Sequence, residues 1–528
     1  MSTILRRDGL LPRSAWHHGA GGLLIRTVIL AVILVLIVRS AQYLGYAARA
    51  TTFPFELDYG EGIIWQQALL ILGSRAYGDI TQFPFIVFHY TPIYHLVIRS
   101  IAALGIDPLA AGRGATLAAT IAIAVLAGAI ASTAMREIAS TNARIVGAAL
   151  AGLMVFTYRP VQEWAVIMHM DLLAIGFSMA GVYLAIVAGQ RTIILCAAIL
   201  MFVLAVYTKQ TELAAPMAAM LVAALVNVRS ALRASAFGLL IGGTAFIILE
   251  LSTSGGFWHH IFEYNIHNPF HRYMVKYYML AERRDFLGVL VGVTAFAFLW
   301  WTEATAIPAR NRNGWVDAIR QSRRLRALVI ISLWFVLASA QLVSIGKSGA
   351  ADNYFLEWMC ITTIPTGMVA SLAWERAATR TKDVRYAGLI GLLLSLALAG
   401  HALHQPLVEY PIIDDPKGIA VRSHLVNLIR ENPKPSLSED MVLLLRAGQT
   451  VPLEPAIFAL LAETGVWDQR PFLQLIQDHA FGLVILQEVE HERFTREVAN
   501  AIQTNYPMVE HLGTYIVRRP SEPEQLVE

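Results

Sequence analysis

Charge is scarce in this chain. Of its 528 residues only 15 % are Asp, Glu, Lys or Arg, whereas 56 % are hydrophobic, and the mean hydropathy is +0.54. That balance excludes an ordinary soluble enzyme and describes a polytopic membrane protein. The net charge of +3 is too small to suggest nucleic acid as a partner. Cysteine is almost absent: Cys196 and Cys360 each lie in an apolar run, which excludes a disulfide framework and a Cys metal site. A repeat of fixed period is missing too, which argues against transporters built from repeats, and the part after His401 has no Gly-rich phosphate loop.

What is present in quantity is apolar sequence of spanning length. Runs at 23–42, 113–133, 144–158, 171–188, 193–208, 212–227, 234–251, 285–301, 327–345, 354–373 and 386–402 give eleven candidate transmembrane helices. Residues 1–22 form a basic N-terminal segment with Arg6, Arg7 and Arg13. Ala48-Arg49-Ala50 has the form of a signal cleavage site, but the long basic region and the length of the first run favour an uncleaved anchor. A twelfth stretch, His89 to Ile106, is apolar but contains Pro92, His95 and Arg99. If it does not cross, then Arg136 and Arg144, Arg191, Arg229 and Arg233, the cluster Arg310 to Arg326, and Arg376 to Arg385 all fall on one side. That is the distribution the positive-inside rule requires, with a cytoplasmic N-terminus. The stretch is therefore expected to lie along the outer membrane surface, within an exported loop spanning 51–112.

After His401 the composition turns soluble, and 403–528 reads as a small exported α/β domain. "MVLLLRAG" (441–448), "FGLVILQE" (481–488) and "GTYIVRR" (513–519) read as strands, "PAIFALLAETG" and "TREVANAIQTNY" as helices, and the last nine residues as a disordered tail. The expected architecture is thus an α-helical polytopic membrane protein of about eleven spans, 23–402, carrying a C-terminal α/β domain.

With that orientation, polar residues gather at the outer ends of the spans. The first loop brings Glu56, Asp58 and Glu61; later ones bring His89 and Tyr90, then Arg159, Glu163, His169 and Asp171, then Lys209, and finally Lys347, Asp352, Asn353 and Glu357. Each has an ordinary structural use: Asp171 at a helix start suits the dipole, Lys209 can reach headgroups, and Asp58 with Glu61 has the spacing of a capping box. Yet if residues 58–73 are helical, Asp58 and Glu61 share one face. Two crowded carboxyls raise one another's proton affinity, which suits one of them to act as a base. Glu263, His267 and His271 have metal-face spacing, but Pro269 interrupts that helix; an aromatic membrane-interface segment is the plainer expectation.

Taken in order, "DYGEG" (Asp58, Glu61), "HYTPIY" (His89 to Tyr94) and "HMDLL" (Asp171), with "TKQT" and "KSGAADNYFLE", resemble the motifs of the GT-C superfamily of membrane glycosyltransferases. Protein O-mannosyltransferases and aminoarabinose transferases belong to it. Two departures stand out: an adjacent acidic pair is here spread over Asp58-Tyr-Gly-Glu61, and Thr91 replaces a proline. The resemblance implies transfer of a sugar from a polyprenyl-phosphate donor to a glycan, lipid or protein acceptor at the outer face of the inner membrane, with inversion. Asp58, Glu61 and Asp171 would be catalytic. Lys209, Lys347, His89, Tyr90, Asn353 and Glu357 would bind the donor phosphate or substrate. No cofactor is required by these residues, and a divalent cation is left open. The alternative from another class is a secondary transporter or flippase of lipid-linked substrates; a scaffold whose working part is the exported domain is a third.

Overall fold

The computed structural model describes residues 20–306, 312–377, 382–488 and 493–521. Arg6, Arg7 and Arg13 of the N-terminal segment, Arg310, Arg380 and most of the expected disordered tail lie outside them.

The chain is overwhelmingly helical. After α1 (Ala20–Thr51) come two short helices, α2 (Glu61–Leu70) and α3 (Ile93–Ala102), then α4 (Pro108–Ala134), α5 (Thr141–Met154), α6 (Arg159–Trp164), α7 (Asp171–Ala188), α8 (Thr192–Thr208), α9 (Ala214–Val226) and α10 (Val228–Ser252). A long connection holds α11 (Gly256–Trp258), a π-helical turn, α12 (Tyr264–Ile266) and α13 (Arg272–Ala281). The bundle is completed by α14 (Phe286–Ala306), α15 (Arg312–Gln321), α16 (Arg323–Gln341), α17 (Phe355–Arg376) and α18 (Lys382–His404).

Eight of these helices are long and apolar enough to cross a membrane, and α5, α8 and α9 are shorter apolar helices. Together they coincide with the eleven runs read from the sequence. By contrast α3, with ten residues, is about 15 Å long and cannot span. Loop contacts sort the two ends of the bundle. Arg26 meets the Trp374 carbonyl, Glu375 meets Ser140, Glu137 accepts from the Arg323 amide, and Arg326 reaches the Ile186 carbonyl. The basic connections thus share one end, while the first residues of α7 and α17 and the last of α8 share the other.

Lipid-facing and protein-facing helices separate by residue size. On α10, Leu239, Leu240, Ile247, Ile248 and Leu251 are exposed, a surface suited only to hydrocarbon. The α17 helix is nearly all buried, gripped by α5 and α14. Small residues permit this: a Cβ built on Gly147 of α5 would sit 1.9 Å from Ser371 Oγ and 2.3 Å from the Gly367 carbonyl oxygen of α17. The connection between α10 and α14 exposes Trp258, Phe262, Ile266, Phe270, Tyr273 and Tyr277, side chains that favour the membrane–water interface.

The C-terminal part contains α19 (Pro416–Glu431), β1 (Ser436–Ser438), α20 (Met441–Arg446), α21 (Pro455–Glu463), α22 (Arg470–Gln477), β2 (Leu483–Gln487), α23 (Arg496–Asn505), β3 (Met508–Leu512) and β4 (Tyr515–Arg519). The sheet order is β1-β2-β4-β3, with β1 and β2 parallel and the rest antiparallel. One expectation fails here. "MVLLLRAG" is a helix, because Asp440 caps it by accepting from the Leu443 amide, and Gly448 ends it in the left-handed region with the Gln449 amide closing on the Leu444 carbonyl. A short apolar run buried on every side has no period from which strand and helix can be told apart.

The sheet domain sits on the first loop. Gln66 exchanges two hydrogen bonds with the Val451 backbone, the Phe85 amide donates to the Pro452 carbonyl, and Arg446 pairs with Asp107. Residues 53–107 are thereby held between the bundle and the C-terminal domain.

Candidate active site

The first surprise is the company Glu61 keeps. It is fully buried and receives Arg113 of α4 in a two-pronged pair, Nε to Oε1 at 2.7 Å and Nη2 to Oε2 at 2.5 Å. The backbone amides of Met168 and Leu57 add bonds of 2.8 and 2.7 Å, and the Asp58 amide one of 3.4 Å. Arg113 spends its remaining donors on the carbonyls of Ala50, Phe53 and Phe55. Glu61 is therefore a clamp that fastens the first loop to α1, α4 and the segment before α7, with no lone pair free for an acceptor proton. Sequence reading missed Arg113, although an arginine in an apolar helix costs about 2.5–3.5 kcal/mol and therefore signals a partner.

Asp58 differs in every respect. Helix α2 starts only at Glu61, so the two carboxylates do not share a helix face as expected, and Asp58 does not cap α2. One carboxylate oxygen accepts from the Gly60 amide at 3.1 Å, and the side chain is half-buried. Burial, reinforced by the neighbouring Glu61 charge, lifts its pKa above the ordinary aspartate value, while the Gly60 amide and His169 pull the other way.

Asp171 opens α7, where the dipole favours its charge. Its two oxygens are taken by His169 Nδ1 and Lys209 Nζ, and Asn353 Nδ2 adds a bond of 3.1 Å. The Lys209 ammonium also lies 5.2 Å from the Tyr354 ring. Trp164 packs on His169 and donates to Asp352 at 2.8 Å. Asp58, His169, Asp171, Lys209 and Asn353 thus form one connected electrostatic line.

Two cavities lie along it. One, of about 120 Å3, is lined by Asp171, Lys209, Glu212, Gln341, Lys347, Asn353 and Glu357 among others. The second, of about 160 Å3, is lined by His89, Tyr90, Gln210, Asn265, Asn268 and residues 347–350. Lys209, Thr211, Lys347, Asn353 and Tyr354 belong to both walls. Seven of the nine expected site residues therefore line this pair of cavities, and Asp58 and Glu61 do not. Glu357 accepts from Trp334 at 2.6 Å. No ion pair to Lys347 occurs among the described residues. Among them too, no group of three His, Cys, Asp or Glu side chains is placed to hold a metal ion, and Asp171 already has both oxygens occupied. His259 pairs with Glu263 on an exposed turn, apart from His267 and His271.

Known structures share this arrangement of helices. ArnT from Cupriavidus metallidurans in the apo state superposes with a TM-score of 0.52 at 14 % identity, over 91 % of this chain and 97 % of that one. The chain has the GT-C fold. The same ArnT bound to undecaprenyl phosphate gives 0.50 at 14 % identity, over 95 % and 98 % of the two chains. The Archaeoglobus fulgidus oligosaccharyltransferase in its apo form gives 0.48 at 10 % identity, over 91 % of this chain and 72 % of that chain. No family model and no curated protein matches the sequence. Its eight long apolar helices make the chain a multi-pass membrane protein, with the short helices α2 and α3 between the first and second of them. Gln210 and Asn265, which complete the second cavity, were not legible as site residues, since neutral amides in a loop carry no signal of their own.

Proposed function

We propose that the chain is an integral membrane glycosyltransferase that moves a sugar from a polyprenyl-phosphate donor to a hydroxyl acceptor on a glycan, lipid or protein. The site works at the outer face of the inner membrane, with the N-terminus cytoplasmic and the C-terminal domain exported, the orientation that the basic connections favour. The observation that carries the reading is the pair of adjoining cavities with Lys209 and Lys347 in their common wall, at the bundle end where Asp58 also lies. Support comes from the like-folded ArnT, whose crystal structure holds undecaprenyl phosphate. The placing of Asp171 and Lys209 at helix ends, rather than at mid-bundle on broken helices, supports an enzyme over a transporter.

In this reading the acceptor oxygen attacks the anomeric carbon and its proton passes to Asp58. The bond from that carbon to the phosphate oxygen breaks, the electron pair leaves with the lipid phosphate, and the anomeric centre inverts. A base whose pKa is lifted toward the working pH is the better proton acceptor. The departing phosphate needs positive charge, which the unpaired Lys347 supplies directly. Lys209 shares its charge with Asp171, which also fixes His169 and Asn353. Glu61 and Arg113 hold the loop that presents Asp58. No step is assigned to a metal.

Incubating the purified protein with radiolabelled polyprenyl-phosphate sugars tests this. Sugar release or transfer is expected in the wild type and is lost in Lys347→Met. Movement of the lipid across the bilayer with its sugar bond intact would replace the enzyme by a flippase.

A further inference from the structure

Three side chains in the wall of the second cavity each carry a buried hydrogen-bond acceptor with nothing to accept, and the surrounding contacts fix the identity of each. Asn265 donates through Nδ2 to the carbonyls of His260 and Ile261, at 3.1 and 3.0 Å. Its Oδ1 is therefore the atom that faces His89 Nδ1 at 3.2 Å, so the imidazole proton sits on Nδ1. That leaves His89 Nε2 as a bare lone pair, and it has no partner. Gln210 gives its Nε2 to the His89 carbonyl at 2.8 Å, which leaves Oε1 unpartnered. Asn353 gives its Nδ2 to Asp171 and leaves Oδ1 unpartnered, in a side chain only 8 % exposed. Burial holds the His89 ring neutral, with its pKa lowered to about 4. A buried acceptor left without a donor is costly, so three around one cavity describe a site awaiting donors.

The charges around the cavity narrow what those donors are. Its wall includes Lys209 and Lys347 and no carboxylate. An ammonium group would find acceptors but no negative charge, with the unpaired Lys347 facing it. A carboxylate would bring further acceptors to three atoms that need donors, and the lysine charges are already engaged, Lys209 by Asp171 and Lys347 by the donor phosphate in the transferase reading. Hydroxyl groups satisfy all three atoms and carry no charge.

Building on the transferase reading above, we propose that this cavity is the sugar subsite and that it selects an uncharged, hydroxyl-rich monosaccharide through His89 Nε2, Gln210 Oε1 and Asn353 Oδ1, against amino sugars and uronic acids. Asn265 is a positioning residue, since it sets the tautomer of His89 and does not itself need the ligand.

The test uses the full-length protein in lipid nanodiscs with four probes: polyprenyl phosphate, and the polyprenyl-phosphate derivatives of a neutral hexose, an amino sugar and a uronic acid. Ligand-induced thermal stabilisation and donor turnover are read for each. The neutral donor should bind at least about tenfold more tightly than either charged one, the ratio that 1.4 kcal/mol represents. Gln210→Glu should move the preference toward the amino sugar. Asn268→Asp, at the rim of the same cavity, should move it in the same direction and serves if Gln210→Glu does not fold. Equal binding of all three sugar lipids, or a preference for a charged one in the wild type, overturns the subsite; so does an unchanged ratio in the variants. If polyprenyl phosphate binds and the sugar adds nothing, the subsite fails while the lipid-phosphate reading stands. If no probe binds, both fall together.

Discussion

Two carboxylates three residues apart, Asp58 and Glu61, should respond oppositely to the loss of a charge. In Glu61→Gln the new amide offers one acceptor atom and one donor atom to a site where Arg113 and three backbone amides all donate. One prong of the pair becomes a donor facing a donor, and a guanidinium with no solvent exposure loses its counter-charge. Breaking a buried pair in this way costs about 3–5 kcal/mol, against about 1 kcal/mol for an ordinary hydrogen bond. Removing both charges, as in Glu61→Met with Arg113→Met, should not restore that loss, because the carbonyls of Ala50, Phe53 and Phe55 and the amides of Leu57, Asp58 and Met168 then lose their partners, at about 1–3 kcal/mol for each group left buried and unsatisfied. Asp58→Asn keeps an oxygen that can accept from the Gly60 amide and removes a carboxylate already disfavoured by burial, so its stability should change by less than about 1 kcal/mol. Its transfer rate should fall by about 100- to 10,000-fold, the usual contribution of a positioned base. Thermal unfolding of the detergent-purified variants, together with donor turnover, separates the two. A Glu61→Gln protein that melts like the wild type and yet is inactive would make Glu61 the base and sink the clamp.

Further tests reach other parts of the molecule. Glu56 and Asp440 share a buried contact between the first loop and the C-terminal domain, and burial followed by mutual repulsion raises the pKa of Glu56 well above the usual range. A folded-state pKa above the unfolded one means that the stabilisation is complete below the ordinary carboxylate pKa and is lost as pH rises through the folded value. Glu56→Gln should therefore flatten the decline of the melting temperature toward alkaline pH; an unaltered pH profile would show that the pair does not carry it. In the bundle, Gly147→Leu should lower the yield of folded monomer on size-exclusion chromatography, because α5 and α17 meet there with no room for a side chain. Normal expression and stability of that variant would mean that the two helices can separate without loss.

The spans were legible because length and apolarity are local properties, and a run of about twenty apolar residues has few other uses. The charge distribution likewise supplied the reason for keeping His89 to Ile106 out of the bilayer, and α3 is indeed too short to cross. Short motifs placed Asp171, Lys209, Lys347, His89, Tyr90, Asn353 and Glu357 near one another, and they do line two adjoining cavities. Tertiary structure alone decided the rest. Nothing within a few residues of Glu61 reveals that Arg113, 52 positions away on another helix, takes its carboxylate. The run 441–446, buried from Met441 through Leu444, has no period to declare itself a helix until Asp440 caps it. Proton sites on His89 and the orientation of two amides follow from bonds that span up to 182 positions of chain. Hydrophobic length is written in each segment by itself, whereas the state of a polar group depends on which distant partner the packed bundle brings to it.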